Sequence, residues 1–331
     1  MKNVLITSRE VARFENRYRD VLDGAGLNPV YPAGGAANQP SEDEVNAALV
    51  GVEAVIAGSE PYTAGRFDAF PKVRVIARVG VGYDAVDLAA ATARGVAVTI
   101  APNTNQGSVA EHTFALILGM TRHLPIRHDA VRSGKWPLHM SQPVRGRTLG
   151  LAGLGRIGKA VAVRAAAFEM RVLAYDPYPD QAYCDKHVIT LVSFDRLLAE
   201  SDFLSLHLPS TPETRHLINR DTLAKMKPAS VLVNTSRGGL VCEADLVEAL
   251  RKGTIGGAAL DVFEREPPAT DNPLFALPNV LFTPHAAGVD FQSLGDMARS
   301  AAEAVASLSR SDWPAEKVVN PEVRGVFKWV E

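Results

Sequence analysis

The chain is poor in the features that mark secreted, metal-binding or membrane proteins. Its only cysteines, Cys184 and Cys242, stand in no metal-ligand spacing, so a disulfide framework is excluded and no metal site is predicted. No apolar run is long enough to span a bilayer, and the short apolar start meets Arg9 and Glu10 too soon for a signal peptide. We therefore expect a cytoplasmic protein with no membrane partner.

Neither sign of charge dominates. The 331 residues contain 35 Lys and Arg against 37 Asp and Glu, which leaves a formal net charge of −2. Such a balance gives no reason to expect nucleic acid as a partner. A hydrophobic fraction of 47% is typical of a globular protein, and the length favours two domains.

Short β-branched runs alternate with Ala-rich helical stretches along the whole chain. This alternation predicts βαβ units and parallel sheets. The predicted strands are residues 4–6, 52–57, 73–77, 95–99, 149–152, 172–175, 203–208, 230–234, 257–260 and 280–283.

The order of these elements predicts two α/β units. Pro102 and Asn103 break the pattern near residue 100, and a helix over 291–309 could return the chain to the first unit. We therefore expect one domain from residues 1–100 plus 290–331, with a second domain, 101–289, inserted into it. A helix is predicted over 11–25, and residues 127–147 are predicted to form an irregular arm.

A glycine-rich turn follows the first strand of the second unit. Gly153, Gly155 and Gly158 form a GxGxxG pattern between a predicted strand and a predicted helix, and Asp176 ends the next strand 18 residues further on. In such a turn the glycines allow a tight bend, close approach of a pyrophosphate and close packing of the helix, whose N-terminus favours the phosphate charge. Asp176 can accept hydrogen bonds from ribose hydroxyls and would repel a 2′-phosphate, so NAD is predicted rather than NADP.

Three later strands each lead into a segment with chemically useful side chains. Arg237 could bind a carboxylate through two hydrogen bonds, residues 261–266 present acids, and His285 titrates in the range that suits proton exchange with a hydroxyl group. The carboxyl ends of parallel strands are where open α/β sheets bind ligands. A carboxylate on the second nitrogen of the histidine would favour its protonated form.

Together these residues resemble the D-isomer-specific 2-hydroxyacid dehydrogenases, a family that includes phosphoglycerate dehydrogenases, glyoxylate and hydroxypyruvate reductases and D-lactate dehydrogenases. The resemblance covers nearly the whole chain, in matching order and spacing. It rests on residues 78–84, 108–111, 153–158, 206–209, 234–239, 259–263 and 283–285. It implies a Rossmann cofactor domain inserted into a flavodoxin-like substrate domain, and NAD-dependent hydride transfer at C2 of a small 2-hydroxy or 2-keto acid.

The resemblance also implies catalytic roles. Arg237 matches the arginine that binds the substrate carboxylate and carbonyl, and His285 matches the acid/base. Glu266, 29 residues after Arg237, matches the glutamate that pairs with this histidine, which leaves Glu264 as a bystander. Asp261 matches the aspartate that holds the nicotinamide carboxamide.

Further matches concern binding. The backbone of Val79 and Gly80 matches a loop that holds the substrate carboxylate, and Arg78 suggests a cation for an anionic substrate tail. The full set of predicted cofactor contacts is Gly153, Gly155, Arg156, Ile157, Gly158, Asp176, His207, Thr235, Ser236, Asp261 and Gly288.

Two other readings stay open at this point. Some relatives, the C-terminal-binding-protein corepressors, keep the fold and NAD but act by docking partners, and others on this fold oxidise formate or phosphite.

The family also implies a homodimer, for which the arm at 127–147 would be suited. Cys242 stands where an aspartate is usual, which puts a thiol near the site.

Overall fold

The computed structural model describes residues 2–33, 40–138 and 140–329. The chain divides into two compact units, Met1–Asn105 with Val289–Glu331, and Gln106–Gly288. The breaks fall a few residues from the boundaries predicted at 100 and 290.

Every predicted strand corresponds to an observed one. The strands of the described residues are β1 (Lys2–Ile6), β2 (Leu27–Val30), β3 (Ala54–Ala57), β4 (Val75–Arg78), β5 (Ala97–Thr99), β6 (Thr148–Ala152), β7 (Arg171–Tyr175), β8 (Thr190–Leu191), β9 (Phe203–Leu206), β10 (Val231–Asn234), β11 (Gly257–Leu260) and β12 (Val280–Phe282). Two of them, β2 and β8, have no counterpart in the sequence prediction. Both are short strands at the edge of a sheet, where a proline such as Pro29 is tolerated.

The helices lie between the strands. They are α1 (Arg9–Ala12), α2 (Glu15–Asp23), α3 (Glu42–Leu49), α4 (Ala64–Ala69), α5 (Leu88–Ala93), α6 (Gln106–Thr121), α7 (Leu124–Arg132), α8 (Arg156–Ala167), α9 (Gln181–His187), α10 (Phe194–Glu200), α11 (Arg220–Leu223), α12 (Glu243–Lys252) and α13 (Phe291–Ser309). The single helix predicted over 11–25 is two helices. The predicted arm begins as a helix, because Pro125 in the first turn of α7 favours a helix start.

The first unit has a parallel sheet in the order β2-β1-β3-β4-β5, which is the flavodoxin-like order. Successive strand residues point to opposite faces, so Val4 and Ile6 pack with α2 and α13 while Leu5 packs with α3 and α5. The sheet is therefore covered by helices on both faces, as parallel sheets require.

The second unit has a seven-stranded parallel sheet in the order β12-β11-β10-β9-β6-β7-β8. Strands β6 to β11 follow the Rossmann order, arranged as β8-β7-β6-β9-β10-β11, and β12 adds a seventh strand beside β11. Helices α6, α8 and α9 cover one face, and α10, α11 and α12 cover the other. The strand order reverses between β6 and β9, so the carboxyl ends of these strands form the crevice in which such sheets bind ligands. The predicted fold class is confirmed.

In the part of the chain that the structure describes, we find no helix with both the length and the apolar character needed to cross a membrane.

Candidate active site

The glycine turn joins β6 to α8, and two of its three glycines, Gly153 and Gly158, are required by contacts within the chain. Gly153 has a φ of +99°, and a Cβ there would lie 2.6 Å from the carbonyl oxygen of His207. A Cβ at Gly158 would lie 2.3 Å from the carbonyl oxygen of Gly153, so this glycine lets the helix approach the turn. A Cβ at Gly155 would meet no atom within 4 Å. The space that a ligand needs is therefore at the middle glycine, beside the N-terminus of α8.

Asp176 follows β7 and faces the turn. Its Oδ2 accepts a hydrogen bond of 2.7 Å from the backbone N–H of Leu154, and its Oδ1 accepts one of 2.8 Å from that of Tyr178. A carboxylate has about four acceptor positions, so these bonds leave capacity for ribose hydroxyls. Asp176 therefore fixes the turn as well as offering the predicted ribose contact.

His207 follows β9 on the other side of β6. Burial lowers its pKa to about 4, so the imidazole is neutral at pH 7. Its Nε2 shares a hydrogen bond of 2.9 Å with the hydroxyl of Ser205, whereas its Nδ1 is buried without a hydrogen-bond partner among the described atoms. An unused buried polar atom next to an open glycine turn fits a dinucleotide bound at this crevice.

The loop after β10 carries further predicted contacts. Thr235 is buried, and its hydroxyl lies 3.1 Å from that of Thr113. Ser236 donates a hydrogen bond of 2.5 Å from its hydroxyl to the carbonyl oxygen of Leu208, in the segment after β9. The loops after β9 and β10 are thereby tied together.

Arg237 leaves the same loop. Its Nη1 donates to the carbonyl oxygen of Ser236 at 2.7 Å, and its own carbonyl oxygen accepts from Nδ2 of Asn234 at 2.9 Å. The next residue, Gly238, packs against the loop after β11, because a Cβ there would lie 1.8 Å from the carbonyl oxygen of Phe263. The loop that carries Arg237 is therefore held on both sides.

Glu266 and His285 form the predicted pair. Nδ1 of His285 lies 2.6 Å from Oε2 of Glu266, and the N–H of Phe263 donates to the other carboxylate oxygen at 3.0 Å. The hydrogen bond with Glu266 raises the pKa of His285, although burial and the charge of Arg237 oppose this. Burial raises the pKa of Glu266, but the hydrogen bonds from His285 and Phe263 outweigh it and leave that pKa lowered. The pair therefore favours the imidazolium–carboxylate form, a proton donor next to an arginine.

Asp261 is completely buried, and its carboxylate accepts three hydrogen bonds from the loop after β12. The hydroxyl of Thr283 donates to its Oδ1 at 2.6 Å, as does the N–H of Ala286 at 2.8 Å, and the N–H of Ala287 donates to its Oδ2 at 2.9 Å. Because the Thr283 proton goes to Asp261, the hydroxyl oxygen can accept from Nε2 of His112, 2.9 Å away. Asp261 therefore holds the histidine loop, whatever contact it makes with a cofactor.

This loop holds His285 in an uncommon backbone conformation. Its φ is +53°, a value that costs a non-glycine residue some free energy, and its N–H donates to the carbonyl oxygen of Asp261 at 2.7 Å. Strain of this kind persists where the surrounding contacts determine it, which is common at functional sites.

Glu264 is not an isolated surface acid. It pairs with Nε2 of His216, and it exchanges backbone-to-carboxylate hydrogen bonds with Glu243 at the start of α12, at 2.7 and 3.3 Å. The sequence interpretation missed this bracing of the acid loop, as it missed the roles of Thr283 and His112. Because Glu264 and Glu266 are only two residues apart, the sequence does not show which of them holds the loop and which pairs with the catalytic histidine.

The predicted substrate loop lies in the first unit, at the end of β4. Val79 N–H donates to the carbonyl oxygen of Ala57 at 3.0 Å, and Gly80 has a φ of +136°, a conformation that favours glycine. Nε of Arg78 donates to the carbonyl oxygen of Gly82 at 3.2 Å, which closes this loop on itself.

The other predicted contacts lie where the glycine turn and the histidine loop end. Arg156 is exposed at the first position of α8, Ile157 packs partly against the core, and Gly288 is the last residue of the second unit. Within the described residues, no group of three or more His, Cys, Asp or Glu side chains could hold a metal ion.

Comparison with known proteins agrees with this geometry. The family model for the NAD-binding domain of D-isomer-specific 2-hydroxyacid dehydrogenases matches residues 114–287. The chain is 42% identical over 271 residues to a glyoxylate reductase of Korarchaeum cryptofilum, covering 80% of this chain and 81% of that protein. The chain belongs to the D-isomer-specific 2-hydroxyacid dehydrogenase family.

Other members of the family are similar to different extents. A D-3-phosphoglycerate dehydrogenase of Mycobacterium bovis is 46% identical over 249 residues, which is 74% of this chain and 47% of that protein. The chain thus spans about half the length of this relative. The structure of an Aquifex aeolicus D-lactate dehydrogenase with NAD and lactic acid has a TM-score of 0.82 at 29% identity and covers 96% of this chain and 99% of its own. The predictions of this family, of a dehydrogenase and of NAD as cofactor are confirmed.

The close approach of Gly238 to the backbone of Phe263 can be tested by substitution. We expect Gly238→Ala to lower the free energy of unfolding by about 3 kcal/mol or more, because its methyl group would overlap the Phe263 backbone, which cannot rotate away. Urea unfolding followed by circular dichroism measures the difference. Gly239→Ala is the matched control, since its methyl group would meet only the hydroxyl of Ser210 at 3.1 Å, which can turn aside. Equal stability of the two variants would contradict the close approach.

Proposed function

We propose that this dehydrogenase interconverts a small D-2-hydroxy acid and its 2-keto acid. The observation that carries the proposal is the 2.6 Å contact between His285 and Glu266, beside Arg237 at the carboxyl ends of three adjacent strands. An acid/base, its partner carboxylate and a cation are what the reaction needs besides the cofactor.

In the reductive direction His285 is the proton donor. Its Nδ1–H is engaged by Glu266, so Nε2–H is the proton available to the keto oxygen. When bound, NADH would supply the hydride to C2, so that the keto group gains one hydride and the one proton that His285 donates. The imidazole left neutral then accepts a proton from solvent, or from the hydroxyl group in the reverse direction.

Arg237 and the loop at 78–80 are the proposed contacts of the acid. A guanidinium can donate two parallel hydrogen bonds to a carboxylate, which fixes the plane of the substrate. The N–H of Val79 already donates to the carbonyl oxygen of Ala57, so in this loop the contact is proposed for the backbone of Gly80, whose positive φ shapes the loop. The roles of Arg78 and of the cofactor contacts stay predictions.

Replacement of the acid/base tests this assignment. We expect His285→Ala to lower kcat by at least about 100-fold, because no other group then supplies the proton, while NADH still binds. Turnover is followed by NADH absorbance and binding by NADH fluorescence. His187→Ala removes a histidine on α9 and should keep full turnover.

Three outcomes would contradict the proposal. Retained turnover in His285→Ala would exclude this acid/base. If the unaltered protein binds NADH but turns over no 2-keto acid, the reading as a partner-docking protein gains support. NAD reduction with formate or phosphite alone would instead favour a dehydrogenase of those acids.

The pKa of His285 predicts how the reaction depends on pH. Reduction needs the imidazolium, so kcat/KM should fall as pH rises through the raised pKa of His285. Glu266→Gln keeps an acceptor for Nδ1–H but removes the charge that raises this pKa. We expect the falling limb to move to lower pH, as measured by pH–rate profiles of keto-acid reduction. Glu264→Gln, the neighbouring acid, should leave the limb in place, and a shift of equal size there would contradict the pairing.

We further propose that the chain forms a homodimer through the arm. Trp136, Leu138 and Met140, which come after α7 in the chain, are 82%, 94% and 98% exposed. The same segment borders a groove of about 840 Å³ whose wall includes Phe168 at the end of α8. Apolar side chains grouped in this way are rare on monomers and mark association surfaces. We also propose a cytoplasmic location, because both cysteines are free thiols and a reducing compartment keeps thiols free.

A charge in the arm tests the dimer. We expect Leu138→Glu to halve the mass measured by light scattering at micromolar concentration, because burying the carboxylate in an apolar interface is unfavourable. Val50→Glu places the same charge at a 74% exposed apolar position of the first unit and should not change the mass. A single-chain mass for the unaltered protein would exclude the dimer.

A further inference from the structure

A carboxylate stands beside the proposed substrate loop of the first unit. Strands β3 and β4 are paired so that Ala57 lies opposite Arg78, and Glu60 follows β3 by three residues. Both side chains therefore belong to the carboxyl edge of this sheet, where ligands of such folds bind.

The Glu60 carboxylate is fixed at this edge. Its Oε1 accepts hydrogen bonds from the hydroxyl of Thr7 at 2.5 Å and from the hydroxyl of Tyr62 at 2.9 Å. Its Oε2 lies 3.0 Å from the position that a Cβ on Gly58 would take, so the side chain folds over that backbone. The half-buried carboxylate is thus anchored by two neighbouring side chains.

The two arginines of this region, Arg66 and Arg78, already donate hydrogen bonds to other groups of the protein. Arg66 donates to the carbonyl oxygen of Pro61 and to Asn46, and it pairs with Glu42. Arg78 donates from Nε to the carbonyl oxygen of Gly82 in its own loop.

The charges of Glu60 and Arg78 both act on the phenol of Tyr62. Burial raises the pKa of the Tyr62 phenol, the charge of Glu60 raises it further, and the charge of Arg78 lowers it. Arg9 after β1 is accompanied by Glu10, with Nε and Oε1 3.7 Å apart. At this edge of the sheet Arg9 is therefore accompanied by Glu10, and the negative charge of Glu60 acts on the same phenol as the positive charge of Arg78; both acids oppose the binding of a phosphate.

We propose that Glu60 determines specificity by excluding an anionic substrate tail, so that the substrate is an unphosphorylated 2-keto acid with a short neutral tail. The inference rests on the proposed function, since an acid whose carboxylate contacts the loop at 78–80 has its tail at the same edge of this sheet. A phosphate carries up to two negative charges, and its repulsion by a partly buried carboxylate is strong because solvent screens it poorly. The role first suggested for Arg78, a cation for an anionic tail, is the alternative that the experiment separates.

The test compares hydroxypyruvate with 3-phosphohydroxypyruvate, which differ only by the phosphate. We expect the unaltered protein to favour hydroxypyruvate by at least about tenfold in kcat/KM. Glu60→Gln keeps an acceptor for Thr7 and Tyr62 but removes the charge, and it should reduce this preference about fivefold or more, mainly through KM for the phosphorylated acid. Asp68→Asn removes a carboxylate that is 66% exposed and pairs with Arg94 in the same unit, and it should leave the preference unchanged.

Binding distinguishes failure of this inference from failure of the proposed function. Calorimetric titration with D-glycerate and 3-phospho-D-glycerate, in the presence of NADH, needs no turnover. Tighter binding of glycerate without any turnover would contradict the reaction but support the role of Glu60. The role of Glu60 is overturned by a preference for the phosphorylated acid, by binding of neither acid, or by equal ratios in Glu60→Gln and Asp68→Asn.

Discussion

The buried carboxylate of Asp261 is the constraint on which the active site depends. A charge with no exposed surface must be compensated, and here the compensation comes from Thr283 and from the N–H groups of Ala286 and Ala287. Movement of the loop would leave this charge unpaired, at a cost of about 3–5 kcal/mol. The loop therefore stays where it holds His285 at a positive φ, with Nδ1 directed to Glu266.

The neighbouring loops interlock with this one. Glu266 is fixed by the N–H of Phe263, and the carbonyl oxygen of the same residue packs against Gly238, next to Arg237. On its outer side the acid loop is braced by Glu264 with His216 and Glu243. The arginine, the carboxylate and the histidine thus come from three strand ends that cannot shift independently, and such preorganisation is what proton and hydride transfer require.

The features that could be predicted from the sequence are those that a single residue type or a short pattern determines locally. The glycine turn, its acid at 176 and the alternating strands could be predicted because turn geometry and side-chain periodicity are properties of short segments. The edge strand β2 was missed because Asn28 and Pro29 are poor strand residues that only the pairing with β1 makes tolerable. The hydrogen bond from Thr283 to Asp261 was missed because it joins residues 22 positions apart. The choice of Glu266 over Glu264 came from family resemblance, and its physical reason is visible only in the partners that each carboxylate has.

Glu266 holds His285 as a proton donor through Nδ1. The most direct measurement is a pH titration of the ¹⁵N-labelled imidazole of His285 by NMR. We predict a pKa above the ordinary 6.5, with Nδ1 protonated throughout and Nε2 as the nitrogen that titrates. A pKa at or below 6.5, or a neutral form with its proton on Nε2, would contradict this role of Glu266.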